Sequence, residues 1–310
     1  MLLGTGADPN RIPGLLHYAC STGTLDIVKQ LLDDHMDINK FYGDDFLFGT
    51  PLQVSVSDNR SDITRFLLKY GADPNITPPG SPRWRPWQRS PLFAAVNKQN
   101  SEILAVLLGT GADPNRTPGL LHYACSTGTL DIVKQLLDAH IDINKFYGDD
   151  FVFGTPLQVS VSDNRSDITR FLLKYGADPN ITSPGSPQWR PWQRSPLFAA
   201  VNKQNSEILA VLLDAGADPN RTPGLLSYVA EHNDLDFVKM LVEKGNANVD
   251  LMDNVLGTPL QVFAAKGQRD ALAYLLDLGA DPNIEGGQYG SALNAAITNG
   301  HGHCLDELLG

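Results

Sequence analysis

The chain has 310 residues, 42% of them hydrophobic and 19% charged, which is enough apolar content for a folded core and too little charge for a disordered polyelectrolyte. A formal net charge of −11 at pH 7 repels phosphate backbones and anionic lipid heads, so a protein partner with a basic face fits better than nucleic acid or a membrane surface. Cys20, Cys125 and Cys304 are odd in number and lack metal-like spacing, which argues against a disulfide framework and for a reducing, intracellular compartment.

In chain order, nine helix pairs are expected, near 14–34, 50–70, 90–109, 118–138, 155–175, 195–214, 223–244, 258–278 and 291–309. Each follows one unit: T-P-L-x-x-(A/S)-(A/V), a turn, then a second apolar run ending in L-L-x-x-G-A-D-P-N. Thr50-Pro51-Leu52-Gln53 opens one such unit and Gly71-Ala72-Asp73-Pro74-Asn75 closes it. Thr50 is placed to cap the first helix, and Pro51 at its first position has no N–H to leave unpaired. Ile63, Phe66, Leu67 and Tyr70 recur at spacings of three and four, one face of a second helix. Gly71 suits a left-handed exit, and Asp73-Pro74-Asn75 a turn. Thr117 and Thr222 also precede prolines and read as caps; on that reading Ile12, their counterpart, is a missing one. No segment approaches the ~18 consecutive apolar residues of a spanning helix, and the start at Met1 lacks a signal-peptide pattern, so neither membrane insertion nor secretion is expected.

A longer period lies above this one. Residues 2–106 match 107–211 with six changes: Ile12/Thr117, Asp34/Ala139, Met36/Ile141, Leu47/Val152, Pro78/Ser183 and Arg83/Gln188. A divergent third copy occupies 212–310. The expectation is one repeat domain over 1–310 with superrepeats 2–106, 107–211 and 212–310. Neither end carries the polar outer face of a terminal repeat, so the chain is expected to be truncated at both ends, with weak exchange protection in the first 12 and last 20 residues or so.

The unit, together with Leu16-His17-Tyr18-Ala19 and Leu121-His122-Tyr123-Ala124, closely resembles the ankyrin repeat over almost the whole chain. The resemblance implies an all-α ankyrin solenoid with loop or β-hairpin fingers, a protein–protein interaction scaffold or adaptor, and recognition through the finger tips and the concave helix face. It also implies that His17 and His122 bond backbone groups between repeats.

Finger length departs from the pattern. From turn Asn to turn Asn the spacing is 29 (Asn10 to Asn39), 36 (to Asn75) and 40 (to Asn115), around a usual family repeat of about 33. The first finger is therefore trimmed, and the third is extended in both copies. The extended finger holds Arg83, Trp84, Arg85 and Trp87, and its copy Trp189, Arg190 and Trp192; these are all the tryptophans of the chain. Trp and Arg are enriched at binding hot spots, and four prolines in the first of these fingers reduce the entropy lost on binding. With Tyr42 and Tyr147 from the middle fingers, these are the candidate partner-binding residues. The bland alternative is equally open for each tryptophan: a finger folded back over its own scaffold. For Phe41, Phe46 and Phe48 the structural reading is favoured, and Asp44-Asp45 reads as a solvated turn. Near-identical fingers three repeats apart suit a partner with a repeated site.

Catalytic chemistry finds no foothold. No nucleophile elbow, Walker loop, zincin or dinucleotide fingerprint occurs. His301, His303 and Cys304 form the only His/Cys cluster, without a second ligand pair for zinc. His35 and His140 sit where a cation meets a helix C-terminus. The expectation is no catalytic residue, no cofactor, no metal and no small-molecule substrate. Two alternatives stay in view: RNA or single-strand binding through the Trp/Arg fingers, and the substrate-recruiting arm of a larger enzyme.

Overall fold

The computed structural model describes residues 9–43, 48–76, 90–148, 153–182, 195–232 and 234–310. Contacts group the chain into two compact units, Met1–Val152 and Phe153–Gly310. The described residues contain helices in nine successive pairs, each within a residue or two of the range expected from the sequence.

In the first unit the pairs are α1 (Leu15–Thr22) with α2 (Leu25–Asp33), α3 (Pro51–Ser57) with α4 (Ser61–Lys69), α5 (Pro91–Asn97) with α6 (Ser101–Gly109), and α7 (Leu120–Thr127) with α8 (Leu130–Asp138). First helices stack in chain order, α1 on α3 on α5 on α7, and second helices do the same, α2 on α4 on α6 on α8. In the second unit the pairs are α9 (Pro156–Ser162) with α10 (Ser166–Lys174), α11 (Pro196–Asn202) with α12 (Ser206–Asp214), α13 (Leu225–Glu231) with α14 (Leu235–Glu243), α15 (Pro259–Lys266) with α16 (Arg269–Asp277), and α17 (Ala292–Thr298) with α18 (Gly302–Leu309). There α13 packs on α15 and α15 on α17. Helices this short are marginal alone, and the apolar interior between the two rows holds them. Leu52, Ile63 and Leu67 are sealed from solvent in one pair, and Leu260, Leu272 and Leu275 in another.

Local chemistry sets the boundaries. The Thr50 hydroxyl accepts from the Gln53 amide at 3.3 Å while Gln53 Oε1 accepts from the Thr50 amide at 2.7 Å, a reciprocal capping box. The same box recurs at Thr155/Gln158 and Thr258/Gln261, each with proline at the first helical position. Second helices leave through a residue in the left-handed region, Gly71 at φ 99° for example, and the amide three residues past the helix end returns to a helix carbonyl, as Ala72 N–H does to Leu67 O at 2.9 Å. His35 and His140 occupy that same position, at φ 62° and 59°. Two histidines thus adopt a backbone conformation that most other repeats give to glycine and one gives to Asn246.

The cap reading for Thr117 and Thr222 needs correction, and with it the one for Ile12. The caps of α1, α7 and α13 are Gly14, Gly119 and Gly224, all left-handed, at φ 72°, 77° and 94°. Thr117 and Thr222 instead close a short 3-10 turn that precedes each cap, and both are buried. A glycine directly after the proline admits the left-handed turn and delays the helix by two residues.

Candidate functional site

The turn residues that end each pair form a ladder along the finger bases. Asp73 Oδ1 accepts from the Asn75 amide within its own turn at 2.8 Å. Asn75 then bridges to the next turn: its Nδ2 donates to Gly111 O at 2.9 Å, and its Oδ1 accepts from the Asp113 amide at 2.8 Å. Asn39 Oδ1 accepts likewise from the Asp73 amide at 2.9 Å. In the second unit Asn180 makes the same two bonds, to Gly216 O and from the Asp218 amide. These turn aspartates are structural, each bound to its neighbouring backbone.

Above the ladder the fingers differ in build. In the second unit, ordinary fingers lie side by side: Asp253 Oδ1 accepts from the amides of Val255 and Leu256, and the Gln288 amide of the following finger donates to Val255 O at 3.1 Å. They are so close that a Cβ on Gly287 would stand 2.5 Å from the Gly257 Cα. In the first unit the middle finger is a hairpin, β1 (Tyr42–Gly43) antiparallel to β2 (Phe48–Gly49), with Tyr42 opposite Gly49. The finger before it is almost missing, because the chain passes from the turn at Pro9–Arg11 to the cap Gly14 with only Ile12 and Pro13 between.

That gap is a notch. Ile12, Pro13, Gly14, Met36 and Tyr42 bound a cavity of about 220 Å³, with His17 in its floor. Its counterpart, bounded by Pro114, Pro118, Gly119, Ile141 and Tyr147 above His122, measures about 250 Å³. The Tyr42 ring leans over Gly14, where a Cβ would come within 2.6 Å of it, and the Tyr147 ring covers Gly119 likewise at 2.7 Å. Each tyrosine lies beside the histidine, ring centroids 5.5 and 5.6 Å apart. His17 Nε2–H donates to Lys40 O at 2.9 Å and His122 Nε2–H to Lys145 O at 2.7 Å, the bond between repeats that the resemblance implied.

Of the candidate binding residues, Tyr42 and Tyr147 are therefore half-buried wall residues of this notch. Arg83, Trp84, Arg85, Trp87, Trp189, Arg190 and Trp192 lie outside the described residues, as do Asp44, Asp45 and Phe46. Phe41 is half-buried. The notch itself was missed in the sequence, where the spacing of 29 was its only trace.

The remaining chemistry-bearing groups have structural partners. His301 Nε2–H donates to Ala265 O at 3.1 Å and His303 Nε2–H to Gly267 O at 3.0 Å, tying the last pair to the one before. Cys20, Cys125 and Cys304 are buried thiols. Burial pushes the Cys20 thiol up to about 12, with Arg60 pulling it the other way. Burial also raises that of Cys304. Neither is a poised nucleophile. Among the described residues no group of three His, Cys, Asp or Glu side chains is placed to hold a metal, and no helix is long and apolar enough to cross a membrane.

Helix pairs stacked in order, proline-led capping boxes, a glycine or histidine exit and a laddered row of fingers define a repeat protein of the ankyrin solenoid class. The family described as Ankyrin repeats (3 copies) matches residues 1–78, 81–147, 121–223 and 225–310, and the chain belongs to the ankyrin repeat family. Proteins of this family generally serve as protein–protein interaction modules on a fold that is typically non-catalytic. Among solved structures the chain is similar to the human ASB11 ankyrin repeat domain, at TM-score 0.52 and 25% identity over 66% of this chain and 84% of that one. An ankyrin repeat domain from Acinetobacter baumannii AYE gives TM-score 0.52 and 27% identity over 62% and 96%. The ankyrin repeat domain of Bcl-3 shares the fold, at TM-score 0.50 and 20% identity over 84% and 98%. Alpha-latrocrustotoxin-Lt1a of Latrodectus tredecimguttatus is 29% identical over 157 residues, which is 50% of this chain; the chain spans 8% of that protein's length.

Proposed function

We propose that residues 1–310 act as one ankyrin-repeat domain, a non-catalytic scaffold or adaptor that holds other proteins by its loop fingers and concave helix face. The observation that carries this reading is the unequal build of the fingers on a helix stack of uniform build. Helix pairs keep their length from repeat to repeat, while the connecting fingers run from nearly absent, at Ile12 and Pro13, to the long segments holding Trp84, Trp87, Trp189 and Trp192. Residues that need not pack are free to vary for recognition. The excess negative charge favours a partner with a basic face, and the duplicated fingers favour one with a repeated site. Three buried thiols fit an intracellular, reducing location, cytoplasmic or nuclear.

The test is an interaction screen with the intact chain beside a variant carrying W84A, W87A, W189A and W192A. Protein partners lost only from the variant are held by the long fingers, and those retained by both use the remaining surface. A chain that retains no protein partner in either form overturns the scaffold reading.

A further inference from the structure

We infer that the concave face of the second unit holds a polar site for one carboxamide side chain, Asn or Gln, on an extended segment of a partner protein. The inference rests on the scaffold reading and names the chemistry that one part of the concave face recognises.

The site is a cavity of about 260 Å³ between two fingers and the ends of two first helices. Glu231 is the last residue of α13 and Lys266 the last of α15, and these helices pack on one another. Leu256 comes from one finger, and Gln288 and Tyr289 from the next. The finger wall is held by its own backbone. The Leu256 amide donates to Asp253 Oδ1 at 2.8 Å, the Gly286 amide to Gly290 O at 2.9 Å, and the Gln288 amide to Val255 O at 3.1 Å. A wall already ordered loses little entropy when a ligand arrives.

The lining selects the ligand. Four of the seven lining residues are polar, and they bring one carboxylate, one ammonium, one carboxamide and one phenol to the same space. Among the described residues none of these four side chains makes a hydrogen bond or an ion pair. A ligand group of either charge meets its own sign at Glu231 or Lys266, and an apolar group leaves all four without water or partner. A carboxamide answers both charges at once, its NH2 donating to Glu231 and its oxygen accepting from Lys266. Such bonds to ionised partners are roughly twice as strong as neutral ones. The volume lies below the ~300–1,000 Å³ of drug-sized sites and suits a single side chain.

Divergence between the copies supplies the second argument. The positions of Glu231 and Lys266 are Ser21 and Asp58 in the first copy, and Ser126 and Asp163 in the second. The helices beneath are built alike in all three, with Leu52, Leu157 and Leu260 sealed from solvent at one equivalent position. Packing therefore does not call for the acid–base pair, and a structural role for it is absent. Residues released from packing are the ones a scaffold can assign to recognition.

The experiment selects a displayed library of random linear peptides on the full chain, with the E231A/K266A chain as counter-selection. Binding of the enriched peptides is then measured to wild type, to E231A/K266A and to the exchanged variant E231K/K266E, each compared with wild type in helix content and melting. A neutral amide can turn its oxygen and nitrogen end for end, whereas a charged anchor cannot. The expected result is an Asn or Gln shared by the enriched peptides, a loss of at least ~10-fold in affinity on E231A/K266A, and recovery to within ~3-fold of wild type on E231K/K266E. If the alanine pair disturbs the fold, the exchanged variant, which keeps both charges at the same two helix ends, decides alone. Peptides anchored by Lys, Arg, Asp or Glu, or lost on the exchanged variant, overturn the carboxamide site while leaving the scaffold reading intact. Enrichment of no peptide overturns the site as well, and the scaffold reading then stands or falls on the partner screen alone.

Discussion

Arg60 does more than begin α4. Its guanidinium reaches back one repeat, donating from Nη1 to Ser21 O at 2.6 Å and from Nη2 to Gly23 O at 2.5 Å. Those carbonyls lie at the end of α1, where the helix leaves acceptors unpaired and the macrodipole is negative. A planar fork satisfies two carbonyls at once, and a lysine ammonium on a flexible stem cannot reproduce that spacing. The exposed ion pairs between successive second helices, Arg170–Glu207 at 2.7 Å and Arg269–Glu307 at 2.6 Å, contribute little by comparison because water screens them. R60K is accordingly expected to lower the stability of the first unit by about 1–2 kcal/mol, and R170K to change the second by less than about 0.5 kcal/mol. Urea denaturation followed by circular dichroism reads both. Equal small shifts would show that the clamp on α1 adds nothing beyond a surface pair.

At the scale of the element, what the sequence announced and what it hid differ by one residue. Thr50-Pro51-Leu52 and Thr117-Pro118-Gly119 share the same first two letters. Leucine in third place lets the helix start at the proline, with threonine as its cap; glycine there turns left-handed and becomes the cap itself. Capping is a local interaction and so is written in local sequence, which is why the helix ranges could be read along most of the chain. The exit turns were legible for the same reason where glycine marks them. They were less so at His35 and His140, whose left-handed backbone is imposed by the turn against their intrinsic preference. Two substitutions separate the cap types. T258A removes a hydroxyl that accepts from the Gln261 amide at 3.2 Å and is expected to cost about 1 kcal/mol. I12T adds a hydroxyl where Gly14 already caps, at a side chain 53% exposed, and is expected to stay within about 0.5 kcal/mol of wild type. Thermal unfolding of the two variants measures the difference; a stabilisation of about 1 kcal/mol by I12T would restore threonine as the cap.

For the whole molecule the decisive property is that, within each unit, the main helix contacts among the described residues run between neighbouring pairs. That architecture was legible because nine copies of one pattern leave little else to infer, and copies of near-identical sequence must repeat the same packing. The notches were not legible, since they depend on how a missing finger lies beside a present one, a relation between segments some thirty residues apart that no local pattern encodes. Nearest-neighbour packing also limits how far damage travels. Leu272 in α16 is fully buried, and α16 packs on α15 and α18. Truncation to alanine leaves a cavity there worth about 2–5 kcal/mol. In a closed globule that loss lowers protection throughout, because one cooperative unit opens as a whole. In a one-dimensional array it is confined to the pairs that share the cavity. Native-state hydrogen exchange on L272A is thus expected to show amides of α15, α16, α17 and α18 exchanging at least ~10-fold faster, with α1, α2, α3 and α4 unchanged. Acceleration of equal size at both ends of the chain would mean that the repeats open together, and that their stability is not a sum over neighbours.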